Sequence, residues 1–202
     1  EASVRTGELL PANGKLFAFL EFLKLGLEHI LTGYDHLCFL LALLLVADSW
    51  LGLLKIVTSF TLAHSITLAL SALDKVTISP AITEPLIAAS IVYVALENIW
   101  RKGQEVDERW ILTFSFGLIH GFGFASVLRE LNIGASGSLI AIPLISFNLG
   151  VEAGQLIVVA ILFPMIMMTR KRLNSFPRLI AAGSFAIALV GLYWLVQRTT
   201  GF

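Results

Sequence analysis

Four histidines, His29, His36, His64 and His120, are all the histidines of this chain, and each lies within or against a strongly apolar stretch. Ionisable side chains are costly in hydrocarbon, so they collect where a bundle interior gives them work. Several imidazoles, a few carboxylates and a single cysteine make a donor set suited to a borderline divalent ion such as nickel, cobalt or zinc. The densest piece is Glu28-His29-Ile-Leu-Thr-Gly-Tyr-Asp35-His36. His29 and His36 are seven residues apart. That is two helical turns, so an unbroken helix shows both on one face. Gly33 between them is a place for the helix to break. Asp35 has two roles open beside an imidazole: ligand of the ion, or hydrogen-bond partner that fixes the ring's tautomer. A plainer reading makes Asp35 and His36 the start of a helix, where a carboxylate meets the positive end of the dipole.

His64 stands in Phe60-Thr-Leu-Ala-His64-Ser-Ile-Thr67 and His120 in Phe114-Ser-Phe-Gly-Leu-Ile-His120-Gly-Phe-Gly-Phe124. Ser65 sets a hydroxyl beside His64, although membrane serines often bond their own helix carbonyls. The alternative for His64 is a hydrogen bond tying two helices together. Gly117 and Gly121 form a small-xxx-small pair that admits a close neighbour helix, and Gly121 and Gly123 loosen the helix beside His120. Asn148, Glu152 and Gln155, at i, i+4 and i+7, draw a polar stripe on an otherwise apolar stretch. An intramembrane carboxylate such as Glu152 needs a cation, a proton or a donor. It balances charge near an ion, or it belongs to an interhelical hydrogen-bond network. Glu97, with Asn98, ends another apolar stretch away from the histidines, as an exit site or a headgroup-level carboxylate. Cys38 is either a soft ligand or a small apolar filler.

The elements that must position these groups are membrane helices. The chain is 57% hydrophobic and 14% charged, with a mean hydropathy of +0.86, whereas a soluble domain is about a quarter charged. The apolar runs are too long for barrel strands. The fold expected is all-α: a polytopic bundle of about six transmembrane helices with an N-terminal interfacial or re-entrant helix. A polar extracytoplasmic leader at 1–15 precedes a single membrane domain at 16–202. Spans are expected near 32–47, 53–73, 81–100, 110–128, 139–168 and 179–196. The basic cluster Arg170-Lys-Arg172, with Arg178, belongs inside. Counting back places Arg101, Lys102 and Arg109 inside and both termini outside. Zero net charge implies no nucleic-acid or acidic partner; the partners expected are lipid, from the apolar composition, and a metal ion, from the histidines. The first residues, Glu-Ala-Ser-Val-Arg, read as the continuation of a longer protein, so an exported N-terminal domain is expected before them. No nucleophile elbow, phosphate loop, His-Glu-x-x-His or dinucleotide fingerprint occurs.

Five blocks together resemble the HupE/UreJ family of bacterial membrane proteins. They are Gly26-Leu-Glu-His29-Ile-Leu-Thr-Gly-Tyr-Asp35-His36-Leu, Phe60-Thr-Leu-Ala-His64-Ser-Ile-Thr, Ile91-Val-Tyr-Val-Ala-Leu-Glu97-Asn98, Gly117-Leu-Ile-His120-Gly-Phe-Gly-Phe and Phe147-Asn-Leu-Gly-Val-Glu152. They run in order from about Gly26 to Gln155. The resemblance is closest to the branch that forms the C-terminal membrane part of longer proteins. It implies nickel or cobalt handling, since relatives accompany hydrogenase and urease accessory genes, and a bacterial inner-membrane location. The His-x5-Asp-His spacing is also similar to the His-x4-Asp-His motif of nickel/cobalt permeases, one residue longer, so the ligand geometry is not carried over.

The reading favoured is binding and transport of a divalent transition metal. His29, Asp35 and His36 gather the ion at the outer mouth, and His64 and His120 receive it deeper, with Glu152 balancing charge. Glu28, Glu97, Asn148, Gln155 and Ser65 support. Protons compete as pH falls through about 6.5, because ligating imidazoles are neutral. Three other readings are an intramembrane metal-dependent hydrolase, a haem site between facing histidines, and a plain membrane anchor.

Overall fold

The computed structural model describes residues 12–100, 109–124 and 140–201. Seven helices follow in order: α1 (Ala12–Thr32), α2 (Tyr34–Val46), α3 (Trp50–Ala72), α4 (Pro80–Trp100), α5 (Arg109–Gly123), α6 (Ala141–Arg172) and α7 (Phe176–Thr200). Among the described residues there is no strand, so the all-α expectation holds. Helices α3, α4, α6 and α7 are each long and apolar enough to cross a membrane. The outer faces of these helices expose Leu62, Ile161, Met165 and Leu189, as suits a bundle whose solvent is lipid. The chain is an integral membrane protein.

The expected N-terminal helix and the span expected after it are two helices, α1 and α2, that part at Gly33. Together, α1 and α2 pass as one span bent by 67° at Gly33, which brings the described spans to five at most. The break follows from local chemistry. The Gly33 amide still donates to the His29 carbonyl, and its own carbonyl accepts from Leu37. A Cβ at Gly33 would stand 2.5 Å from the His29 carbonyl oxygen and 3.1 Å from His36 Nδ1. Only glycine lets the two half-helices meet so closely. The fourth expected span, 110–128, is a 15-residue helix here. At 1.5 Å per residue it is about 22 Å long, short of the roughly 30 Å of hydrocarbon. Helix α5 ends at Gly123, and residues 125–128 lie outside the described ones, as do most of the leader and the Gly134–Ser138 connection. Helix α3 starts earlier than expected. Ser49 accepts from the Gly52 amide at 3.1 Å, and this cap draws Trp50–Gly52 into the helix.

Two glycine seams set the packing. Gly117 and Gly121 of α5 lie on the backbone of α3, where a Cβ would come within 2.6 Å of the Phe60 carbonyl and 2.5 Å of the His64 carbonyl. Gly26 of α1 and Gly150 of α6 interlock in the same way, each against the other helix's carbonyls at Phe147 and Leu23. The seams carry the ends of α1 and α5 into the bundle, each with its histidine.

At the other end, a buried polar network joins four helices. The Arg109 guanidinium lies 3.4 Å from Glu97 and donates to Asn98 Oδ1 at 2.8 Å. Asn98 Nδ2 donates to the Ala42 carbonyl at 2.7 Å and to Ser184 Oγ at 3.3 Å. Arg109, expected among the loop charges, is only 7% exposed. It is a buried counter-ion of Glu97. Between this network and the histidines lies an apolar layer that includes Phe39, Leu43, Ile56, Phe60, Ile91 and Val94.

Two stability predictions follow from these contacts. Gly121→Val drives a side chain into the α3 backbone and is expected to cost about 1–3 kcal/mol. Gly183→Ala, which meets only Leu45 methyls at 3.3 Å and beyond, is expected to be neutral. Thermal unfolding in detergent reads both, and an unchanged midpoint in Gly121→Val would refute the seam. Arg109→Leu takes a buried guanidinium from Glu97 and Asn98 and is expected to cost about 3–5 kcal/mol, while the double change with Glu97→Leu costs less than the sum of the two single changes. A double loss equal to that sum would show that the pair is not coupled.

Candidate functional site

The four histidines converge. His29 occupies the last turn of α1 and His36 the first turn of α2, with ring centres 4.6 Å apart across the break. His64, from the middle of α3, has its ring centre 6.0 Å from each of them. His120, in the last turn of α5, has its centre 5.1 Å from that of His36. The expected arrangement of two tiers, with two histidines at a mouth and two deeper, is therefore a single cluster. The break at Gly33 and the α5 seam bring all four together.

Aromatic rings box the cluster. Phe60 approaches His36, His64 and His120, and Phe39 approaches His120. Phe124 stands 4.3 Å from His29, ring centre to ring centre, and stacks on Phe147. In this aromatic setting five imidazole nitrogens are buried without a hydrogen-bond partner: His29 Nε2, His36 Nε2, His64 Nδ1 and Nε2, and His120 Nδ1. A neutral imidazole carries one donor and one acceptor, and over nine-tenths of buried polar groups in proteins are satisfied. Five unpartnered nitrogens in one cluster make it the candidate ligand site.

The cluster is not a finished shell. Among the described residues no three His, Cys, Asp or Glu side chains already stand in a coordinating arrangement. The gap is small. Two imidazoles on one ion have ring centres about 4.5–5.3 Å apart, given metal–nitrogen bonds of about 2 Å. His29–His36 and His36–His120 fall in that range. The two 6.0 Å separations to His64 need a closure of roughly 1 Å, within reach of side-chain rotation. Imidazole is a donor type that a divalent ion takes, and His36 is the ring from which the other three are within 4.6–6.0 Å. Two helix C-termini, those of α1 and α5, also end at the cluster, and their partial negative charge favours a cation.

The carboxylates are placed elsewhere. Asp35 receives a two-pronged contact from Arg198, at 3.0 Å to each oxygen. Arg198 also donates to the Glu84 carbonyl at 3.2 Å and lies over the Trp194 ring. Glu28 forms an exposed pair with Lys24 at 3.5 Å, a contact of little energetic weight. Glu152 accepts from Thr58 at 2.9 Å, and Gln155 from Thr61 at 2.9 Å. These rungs tie α6 to α3. Glu152 and Asn148 line a cavity of about 520 Å³ between the two helices, with no histidine in its wall. Asn148 bonds its own helix at Leu144, and Ser65 does the same at Thr61. Cys38 is half-buried against the apolar layer. The hydroxyl that does reach a histidine belongs to Ser90 of α4, 3.0 Å from His120 Nε2. Sequence reasoning missed it, since no local spacing links residues 90 and 120.

Comparison with known proteins agrees with this architecture. The model of the HupE / UreJ protein family matches residues 8–198, a range that takes in all four histidines, Asp35, Ser90 and Arg198. No curated protein and no solved structure matches the chain. With nearly its whole length covered, the chain belongs to the HupE/UreJ family.

Proposed function

We propose that this protein binds a divalent transition-metal ion, nickel or cobalt first, at the four-imidazole cluster and passes it across the bacterial cytoplasmic membrane. The observation that carries the reading is the set of five orphaned imidazole nitrogens inside an aromatic box at a broken helix. Discontinuous helices at membrane depth commonly frame ion sites, because their ends supply dipoles and free carbonyls. Imidazole serves nickel, cobalt and zinc alike, so the choice among them rests on the family. The orientation proposed sets Arg170, Lys171, Arg172 and Arg178 inside and the far end of α7 outside; Arg198 at that end holds Asp35 beside His36, so the cluster faces the extracytoplasmic side. Phe39 and Phe60 lie beneath the rings and separate them from the Glu97–Arg109 end.

Four neutral rings do not neutralise a dication. Asp35 adjoins His36 as Glu28 adjoins His29, but Glu28 is exposed and paired with Lys24, whereas Asp35 is held by Arg198. In this reading Asp35 exchanges Arg198 for the arriving ion, while the Glu84 carbonyl and the Trp194 ring keep the guanidinium in place.

Titration of purified protein with Ni²⁺, followed by calorimetry and elemental analysis, tests the site. His36→Ala and His120→Ala are each expected to weaken binding at least about tenfold, the loss of roughly 1.4 kcal/mol. Binding weakens as pH falls, because protonated imidazole cannot ligate. Failure of the wild type to bind, or undiminished binding in His36→Ala, would end the proposal. Uptake of Ni²⁺ into proteoliposomes separates carriage from a fixed site. The exchange at Asp35 predicts that Arg198→Gln tightens binding by about tenfold, the scale of one charge-assisted contact, and that adding Asp35→Asn cancels the gain. Equal affinity in Arg198→Gln and wild type would remove the exchange and leave the imidazole site standing.

A further inference from the structure

We infer that Ser90 is a positioning residue for His120: its hydroxyl decides which nitrogen of that ring is left free to take a metal ion. The inference rests on the metal-binding reading and deepens it. Ser90 lies on α4 and is 1% exposed, so its bonding is settled inside the protein. Its oxygen stands 2.7 Å from the Ile87 carbonyl oxygen, to which the hydroxyl donates. It also stands 3.0 Å from His120 Nε2.

A hydroxyl has one proton to give. A carbonyl oxygen only accepts, so the 2.7 Å contact takes that proton. What remains on Ser90 Oγ is lone pairs, and the contact with His120 Nε2 therefore needs the proton to sit on Nε2. A neutral imidazole carries a single N–H, so Nδ1 is left with its lone pair. Nδ1 is buried with no partner in a ring that packs against His36, Phe39 and Phe60. The opposite tautomer fails twice. It would set two oxygens 2.7 Å apart if the serine proton turned to Nε2, and it would bury an N–H at Nδ1 with no acceptor.

The chain Ile87 carbonyl–Ser90–His120 thus does for this ring what a hydrogen-bonded carboxylate or carbonyl does for a metal-bound histidine: it fixes tautomer and orientation before the ion arrives. His64 has no such support, since both of its nitrogens lack partners. His120 is the pre-set ligand, and His64 adapts to it. The Gly121 contact with the α3 backbone holds the same turn of α5 in place, so the ring is fixed at both its backbone and its far nitrogen.

Nitrogen-15 NMR of histidine-labelled protein, metal-free and in nanodiscs, reads the tautomer directly. The wild type is expected to show His120, assigned by its loss in His120→Ala, as the Nε2–H form. Ser90→Ala should lose that bias and bind Ni²⁺ about 10–100-fold more weakly. Ser90→Thr, which keeps the hydroxyl, should restore both. A wild-type His120 protonated on Nδ1 would overturn the inference without any variant. Ni²⁺ affinity that is the same in Ser90→Ala as in wild type would overturn Ser90's role while leaving the metal site intact. A wild type that shows the Nε2–H form yet binds no Ni²⁺ would overturn the metal reading, and this role with it.

Discussion

Burying a ring nitrogen without a partner costs about 1–3 kcal/mol, and this fold buries five of them within one ring of phenylalanines. A bundle tolerates that arrangement only if the surrounding helices have nowhere better to go. The glycine seams supply the constraint. With no Cβ at Gly26, Gly117, Gly121 or Gly150, α1 lies against α6 and α5 against α3 at backbone distance. Helix association in lipid draws on such close packing, since burial of apolar surface adds little there. The imidazoles are held together by contacts they do not themselves make.

The two ends of the bundle treat polar groups differently. At one end Arg109, Glu97, Asn98, Ser184 and the Ala42 carbonyl form a connected set across α2, α4, α5 and α7. That set secures the helices. At the other end five imidazole nitrogens are buried without a partner, while His120 Nε2 is held by Ser90. A connected network rigidifies, whereas an unmatched one marks a position for a ligand. The apolar layer with Phe39 and Phe60 lies between them, so the structural polar set and the candidate binding set do not compensate each other.

Much of this was legible in the sequence, for reasons that differ by residue. Apolar length announced the helices, and Gly33 and the Gly117–Gly121 pair announced the break and one seam, because these signals are local. The convergence of His64 and His120 with His29 and His36 was not legible, since periodicity assigns faces and not neighbours. Charge misled twice. Arg109 looked like a loop cation and is a buried partner of Glu97, and Asp35 stood beside His36 in sequence yet faces Arg198, 163 positions away. The serine next to His64 turned to its own helix, while the serine that reaches a histidine came from another. Long-range pairs of this kind leave no trace in spacing.

The placement of Asp35 bears on how a neutral cluster meets a dication at all. A carboxylate left unpaired beside buried imidazoles would itself be costly in this setting. Arg198 removes that cost while no ion is present, and it does so at the edge of the bundle, where Asp35 and Arg198 remain about a quarter and a fifth exposed. The C-termini of α1 and α5 add fixed partial negative charge that needs no such partner. A site built on neutral rings, two helix ends and one masked carboxylate can stand empty without a buried net charge. On the proposed reading it recruits that charge when a cation arrives. A permanent acidic cluster at the same depth would achieve the second only by giving up the first.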